Sequence, residues 1–124
     1  MEILKTDGFE NIYEVDRFQK EFREVTNDEK RYSKWLIARL TELDLSGIEV
    51  IRMEAYEALK TNPKLYVIRY PHSKLNLRIM FVFVNSNEIL LLNAFKESSK
   101  KSNSDYLSAI AIAQKRLRYV KDCI

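Results

Sequence analysis

Three short apolar runs between residues 65 and 96 constrain the fold of this chain more than any other feature of its sequence. The runs cover residues 65–70, 77–84 and 88–96, and each is rich in β-branched or aromatic side chains. Polar loop and turn residues separate them, including the sequence Asn85-Ser86-Asn87. Strands of this length and composition, bounded by turn residues, are typical of a hairpin series. The pattern therefore predicts a three-stranded antiparallel meander.

The register of this predicted meander brings basic side chains together. If the first loop closes at residues 70 and 77, Arg69 lies directly opposite Arg78. If the second turn closes at residues 84 and 88, Arg78 lies opposite Ala94. Because strand side chains alternate between the two faces of a sheet, we expect Arg69, Arg78 and Lys96 on one face, at one end.

Such a cluster of cations needs an explanation, because like charges directly opposite each other destabilise a sheet. One explanation is a bound anion that the chain does not supply, and phosphate fits because guanidinium groups bind it bidentately. The alternatives are an internal carboxylate partner or arginines turned into water. Under the phosphate hypothesis, we expect Arg78→Ala to fold normally and to lose most activity.

Composition bounds the class of protein. The 124 residues predict a single domain, residues 1–124, with 46% apolar and 31% charged residues. One histidine and one cysteine cannot form the usual zinc cage or an internal disulfide framework. The sequence shows no apolar run of membrane-spanning length and no signal peptide, so a cytoplasmic location is expected.

Charge is divided unevenly along the chain. Residues 1–60 carry 10 Lys and Arg against 14 Asp and Glu, a net of −4, whereas residues 61–124 carry 11 against 4, a net of +7. A basic half beside an acidic remainder indicates a face that binds a polyanion or an acidic protein. An ordinary solvated basic surface would give the same count.

Residues before the meander predict one strand and two helices. Residues 1–8 are expected to be irregular, and partial alternation predicts a strand over residues 9–15. A helix is expected after Asp16 as N-cap, and Thr26 with Glu29 has the spacing of a capping box for a second helix, which ends near Leu43. Its apolar stripe contains Tyr32, Leu36, Leu40 and Leu43, and Gly47 follows. The short link predicts an antiparallel helical hairpin.

The remaining segments are less regular, apart from the C-terminal one. Residues 53–59 have helical propensity without caps. A closing helix is expected to start near Asp105, capped by Ser102 or Ser104, with a stripe of Leu107, Ile110, Leu117 and Val120.

The only histidine, His72, lies in the loop between the first two meander strands. His72 could act as a general acid or base, or it could be an exposed loop residue without a role.

The chain resembles the RelE/ParE toxin superfamily, and within it the HigB-like, phage-derived branch. The resemblance rests on Arg69 at the end of the first meander strand, Arg78 early in the next, and the pair Phe95-Lys96 where the last strand ends. The closing helix adds Ala109, Ala113, Arg116 and Tyr119. One departure is Glu97, since members of the superfamily often have a second lysine after the aromatic-lysine pair; here lysines reappear at Lys100 and Lys101.

This resemblance implies an α+β, RelE-like fold: an N-terminal strand, a helical hairpin, the three-stranded meander and a C-terminal helix. It implies the toxin of a type II toxin–antitoxin pair that cleaves ribosome-bound mRNA without a metal or other cofactor and is neutralised by an antitoxin protein. Arg69, Arg78 and Lys96 would contact the phosphate, and His72 or Lys74 would transfer protons. Tyr119 would stack on a base or position the nucleotide, and Lys74, Lys100 and Lys101 would bind RNA.

Two other functions remain open at this point. ParE-type members share the fold and inhibit DNA gyrase by binding it. A degenerate phage remnant could bind nucleic acid without catalysing a reaction. The clustered arginines favour RNA cleavage, because binding to a gyrase surface does not require phosphate ligands on the sheet.

Overall fold

The computed structural model describes residues 1–70, 75–98 and 102–121. These residues form an α+β structure with a six-stranded mixed sheet, as the sequence predicts at the level of class. The strands are β1 (Ile3–Lys5), β2 (Ile12–Val15), β3 (Tyr56–Ala58), β4 (Tyr66–Arg69), β5 (Leu77–Phe83) and β6 (Ile89–Lys96). The helices are α1 (Phe18–Thr26), α2 (Lys30–Ser46) and α3 (Ser102–Lys121), with a 3-10 helix at Gly47–Arg52. Their order in the chain differs from the prediction by two added strands, β1 and β3.

The central meander is confirmed. Strands β4, β5 and β6 are antiparallel neighbours in the sheet order β1-β2-β6-β5-β4-β3. Strand β2 pairs in parallel with the start of β6, and β1 pairs antiparallel with β2. The predicted irregular lead-in is therefore wrong for residues 3–5, because their strand conformation depends on backbone hydrogen bonds with β2, and three residues are too few to show a strand pattern of their own.

The start of the helical region also differs from the prediction. Helix α1 follows Arg17, and neither helix has a side-chain hydrogen bond at its N-cap. Thr26 ends α1, where its hydroxyl donates to the carbonyl oxygen of Phe22 at 2.7 Å. The chain then reverses through Asn27 and Asp28, both with positive φ. Because these two left-handed residues complete the turn, Thr26 is not available as the N-cap of α2 and the predicted capping box is wrong.

Helices α1 and α2 pack on the sheet more than on each other. The predicted stripe of α2 is confirmed, since Tyr32, Leu36, Leu40 and Leu43 are all buried. Gly47 caps the helix with a φ of +54°. Helix α1 lies mainly against β6, whereas α2 contacts β2 and the 3-10 helix. The segment with helical propensity, residues 53–59, follows the 3-10 helix and contains β3 instead of a helix, because β3 gains its hydrogen bonds from the edge of β4.

The sheet has two covered faces, named here for the helices that pack on them. On the α2 face, Tyr70 makes edge-on ring contacts with Tyr32 and Trp35. On the α3 face, the ring of Phe95 contacts Tyr106 at a centroid distance of 5.2 Å. No described helix is long and apolar enough to cross a membrane.

A β-bulge in β6 sets the register near the site. Phe81 lies opposite Leu91 but Met80 lies opposite Asn93, so Leu92 is an extra residue in β6. Nη1 of Arg116 on α3 donates to the carbonyl oxygen of Leu92 at 2.7 Å. The carbonyl oxygen at the bulge therefore accepts its hydrogen bond from a side chain that lies 24 residues further along the chain.

Arg116 joins α3 to α1 as well as to the bulge. Its guanidinium pairs with both carboxylate oxygens of Glu21, including Nη1 to Oε1 at 2.7 Å. Arg116 is only 7% exposed, and it lies on the same side of α3 as the buried Ala109 and Ala113. Leu107, predicted in this apolar stripe, is 69% exposed. Position 107 is about 150° around the helix from the buried stripe, so the prediction for this residue is wrong.

Candidate phosphate-binding site

Arg69 and Arg78 lie directly opposite each other at the end of the β4–β5 hairpin. The backbone N–H of Tyr70 donates to the carbonyl oxygen of Leu77 at 3.0 Å, which closes the loop at the predicted position. Residues paired across two antiparallel strands share a face, so both guanidinium groups project on the α3 face. This part of the predicted register is confirmed.

Lys96 does not share the face of the sheet on which Arg69 and Arg78 lie. It lies opposite Leu77, and Arg78 lies opposite Phe95 rather than Ala94. Because the bulge at Leu92 shifts β6 by one residue, every side chain beyond it changes face relative to the predicted register. The predicted cluster of three cations on one face is therefore wrong: by strand alternation Lys96 lies on the face opposite Arg78, at the edge of the sheet where β6 extends past β2.

The chain itself supplies an anion for Arg78. Nε of Arg78 pairs with Oε2 of Glu97 at 3.0 Å, and Nη1 donates to the carbonyl oxygen of Leu77 at 3.0 Å. The side chain of Arg78 is 12% exposed and that of Glu97 is 22% exposed. Of the explanations that the sequence left open, the internal carboxylate partner is the one found for Arg78. Glu97, the departure from the lysine common in related toxins, is the partner.

Arg69 is more accessible. Its side chain is 39% exposed, and the distance from its Nη1 to Oε2 of Glu57 is 3.8 Å. Its Nη2 donates to the backbone carbonyl oxygen of Glu54 at 2.9 Å. A half-exposed guanidinium with one long carboxylate contact can bind an incoming anion without first breaking a short buried pair. Arg69 is thus the more available cation of the two.

Tyr106 belongs to this site, although the sequence analysis did not select it. Burial raises the pKa of its phenol, and the nearby charge of Glu97 raises it further, whereas a hydrogen bond with Arg78 acts in the opposite direction. The phenol therefore stays neutral and can donate a hydrogen bond beside the arginine pair. The available signal was its spacing: Tyr106 stands three residues before Ala109, on the buried stripe of α3.

Four predicted site residues lie outside the described residues: His72, Lys74, Lys100 and Lys101. His72 and Lys74 belong to the segment between Tyr70 and Leu75, directly after the strand that carries Arg69. Their predicted roles in proton transfer and RNA binding stay predictions.

Tyr119 lies at the other end of α3 from the arginine pair. Thirteen residues separate it from Tyr106, which at 1.5 Å per residue is about 20 Å along the helix axis. Tyr119 is 53% exposed and lines a cavity of about 420 Å³ together with Arg17 and Lys115. Tyr119 therefore does not touch a phosphate held between Arg69 and Arg78.

The described residues contain no group of three or more His, Cys, Asp and Glu side chains placed to hold a metal ion. What the site offers is positive charge, one accessible guanidinium, one guanidinium paired with a carboxylate, and a neutral phenol. Arginine forks of this kind bind phosphate and carboxylate groups. By its fold, the molecule is a small α+β protein with two opposed arginines at one end of a mixed sheet.

Comparison with protein families gives a narrower assignment. Residues 14–118 match the family described as phage derived protein Gp49-like (DUF891), and the chain belongs to this family. The family is part of the RelE/ParE-like toxin superfamily, which confirms the resemblance read from the sequence at that level. Comparisons with curated proteins and with solved structures gave no match.

Proposed function

We propose that this protein is the toxin of a type II toxin–antitoxin pair, related to the HigB-like branch, and that it cleaves mRNA bound to the ribosome. Membership of a RelE/ParE-like family supports the toxin part. The observation that supports RNA cleavage is the directly opposed pair Arg69 and Arg78, with Arg69 accessible at the end of the sheet. The proposed place of action is the cytoplasm.

In the proposed reaction, the 2′-hydroxyl of one nucleotide attacks the adjacent phosphorus, and the bond to the 5′-oxygen of the next nucleotide breaks. The products are a 2′,3′-cyclic phosphate and a free 5′-hydroxyl. Arg69 would stabilise the charge that develops on the phosphorane, which is the largest requirement of such a transition state. Arg78 would contribute once the phosphate replaces the carboxylate of Glu97. His72 or Lys74 would accept and return the proton.

The arginine pair also permits a non-enzymatic function. Because Glu97 already neutralises Arg78, the site holds less free positive charge than a phosphate-binding cluster of three cations would. This observation favours the second candidate, a toxin of ParE type that binds and inhibits DNA gyrase. A phage-derived remnant that binds nucleic acid without chemistry is the third.

One experiment separates these functions. The protein is induced in bacterial cells, and the 5′ ends of cellular mRNA are mapped before and after induction. New ends at codon boundaries, bearing 5′-hydroxyl groups, are expected. Intact messages together with stalled replication would overturn RNA cleavage in favour of gyrase inhibition. Growth at the uninduced rate, at verified protein levels, would overturn the toxin assignment itself.

The proposed partner is an antitoxin encoded beside this protein. Family membership suggests such a partner, and the net charge of +7 over residues 61–124 favours an acidic or amphipathic antitoxin segment. Co-expression of the neighbouring reading frame is expected to restore growth and to yield a complex that survives purification. A neighbour that neither binds nor rescues would contradict this assignment.

A further inference from the structure

We propose that a single strand of nucleic acid binds in a groove along one flank of α3, between Lys96 and Tyr119. We call this surface the α3 groove. The inference deepens the proposed function, since it rests on RNA being the biological ligand and extends the contact beyond the arginine pair. It concerns binding only, and it can be tested without cleavage.

Two neighbouring cavities form the α3 groove. One, of about 230 Å³, is lined by Lys96, Asp105 and Ser108, and the other, of about 420 Å³, by Arg17, Lys115 and Tyr119. Ile112 lines both, so the two cavities adjoin at this residue. The lining positions of α3 recur every three or four residues, which places them on one flank. From residue 105 to residue 119 the flank is about 21 Å long.

Three exposed cations line the groove. Lys96, Arg17 and Lys115 are all exposed, and within the described ranges 1–70, 75–98 and 102–121 none of the three forms an ion pair. Cations spaced along a concave surface attract a phosphate backbone.

The carboxylates of the groove are engaged within the protein. Glu21 pairs with Arg116, and Asp105 accepts hydrogen bonds from the backbone N–H and hydroxyl of Ser98 at 2.8 and 2.9 Å. Asp16 accepts a hydrogen bond from the backbone N–H of Glu2 at 3.2 Å. After the pairing of Glu21 with Arg116, the side chains that line the two cavities leave three cations, Lys96, Arg17 and Lys115, against two carboxylates, Asp105 and Asp16, a net charge of +1.

The groove also offers flat apolar surface to a base. Tyr119 is 53% exposed and Ile112 is 44% exposed, and the two lie about two turns apart on the same flank of α3. Aromatic side chains between cations are the arrangement on which unpaired bases stack in single-strand binding proteins. An acidic peptide would use the cations but would not need the exposed ring. The combination of cations and ring favours nucleic acid over a protein partner.

One end of the groove lies near the arginine pair. Lys96 is the neighbour of Glu97, which pairs with Arg78. Phe95 lines the first cavity and contacts Tyr106, which lies beside Arg78. A strand with one phosphate at Arg69 and Arg78 could therefore continue along α3 and end with a base on Tyr119.

The test is direct binding of single-stranded DNA, which lacks the 2′-hydroxyl and cannot undergo the proposed cleavage. A fluorescent oligonucleotide of about eight nucleotides, within the usual size range for such sites, is titrated with purified protein and followed by anisotropy. Tyr119→Ala is expected to weaken binding about tenfold or more. Lys115→Ala is expected to lower the slope of log K against log salt by about 0.7. Arg118→Ala, a neighbouring exposed cation on α3 outside the groove, is the matched control and is expected to bind like the parent.

Two results would overturn the α3 groove: unchanged affinity in Tyr119→Ala and Lys115→Ala, or equal weakening in Arg118→Ala, which would indicate unspecific surface charge. All three side chains are exposed, and thermal unfolding checks that each variant is folded. The two experiments distinguish failure of the proposed RNA cleavage from failure of the α3 groove. Groove-dependent DNA binding with intact cellular mRNA would contradict cleavage alone, whereas mRNA cleavage with no groove-dependent binding would contradict the groove alone.

Discussion

Replacing Arg78 with alanine tests whether its ion pair with Glu97 stabilises the fold. A hydrogen bond to a charged group contributes about 1.5–3 kcal/mol. Two effects offset this loss: relief of repulsion by Arg69, worth about 0.2–1 kcal/mol, and renewed hydration of Glu97, which is 22% exposed. The expected loss of unfolding free energy is therefore about 1–2 kcal/mol. This reverses the expectation drawn from the sequence, where no carboxylate was assigned to Arg78.

The assay is guanidinium-induced unfolding at neutral pH, with Arg52→Ala as the matched control. Arg52 also pairs with a carboxylate, Glu49, but its side chain is 84% exposed, so its removal should change stability by less than about 0.5 kcal/mol. Glu97→Gln completes a double-mutant cycle with Arg78→Ala, and a coupling energy above about 1 kcal/mol is expected. An unchanged or raised stability of Arg78→Ala would refute the reasoning, because the pair would then contribute nothing.

Three further predictions concern the scaffold. Arg116→Met should lower the unfolding free energy by about 2–4 kcal/mol, because it leaves the bulge carbonyl and Glu21 without their partner; a loss below about 0.5 kcal/mol in urea unfolding would contradict this. Gly47→Ala should cost about 1–3 kcal/mol in the same assay, since the residue has a φ of +54° and its new Cβ would overlap a backbone carbonyl; a neutral effect would show that the turn relaxes. Tyr56 donates from its phenol to the Arg39 carbonyl oxygen at 2.8 Å, and burial, followed by its hydrogen bond to a carboxylate of α2, raises its pKa well above the usual value. Because the neutral phenol is favoured in the folded state, stability should fall as pH rises above about 10. Tyr56→Phe should reduce this decline, and the raised pKa of Tyr106 should leave part of it; an identical alkaline profile in both proteins would contradict the assignment.

The meander could be predicted from sequence because its signals are local. Each strand is a short apolar run between turn residues, and the pairing of Arg69 with Arg78 follows from the loop that joins their strands. The buried stripe of α2 was readable for the same reason, since helical periodicity is carried by residues three and four apart.

The position of Lys96 could not be predicted, because it depends on a distant contact. The bulge at Leu92 is held by Arg116, which belongs to another element, and nothing within β6 distinguishes a bulged strand from a regular one. The pairing of Glu97 with Arg78 could not be predicted for the same reason. Its carboxylate reaches Arg78 only because Phe95, and not Ala94, lies opposite that arginine.

The short edge strands were missed for a related reason. Strands β1 and β3 each have three residues, and both lie at the edges of the sheet. Their strand conformation comes from hydrogen bonds to β2 and β4 rather than from any pattern of their own. The family match covers residues 14–118 and does not include β1.

The most direct test of the central claim is the cleavage of ribosome-bound mRNA by purified protein, compared between Arg69→Ala and Arg31→Ala. Both arginines are at least 39% exposed and lie near a carboxylate, but only Arg69 faces Arg78. If Arg69 stabilises the phosphorane, its removal should slow cleavage by about 10²–10³, while Arg31→Ala cleaves at the parental rate. Equal cleavage rates for both folded variants and the parent would contradict the account.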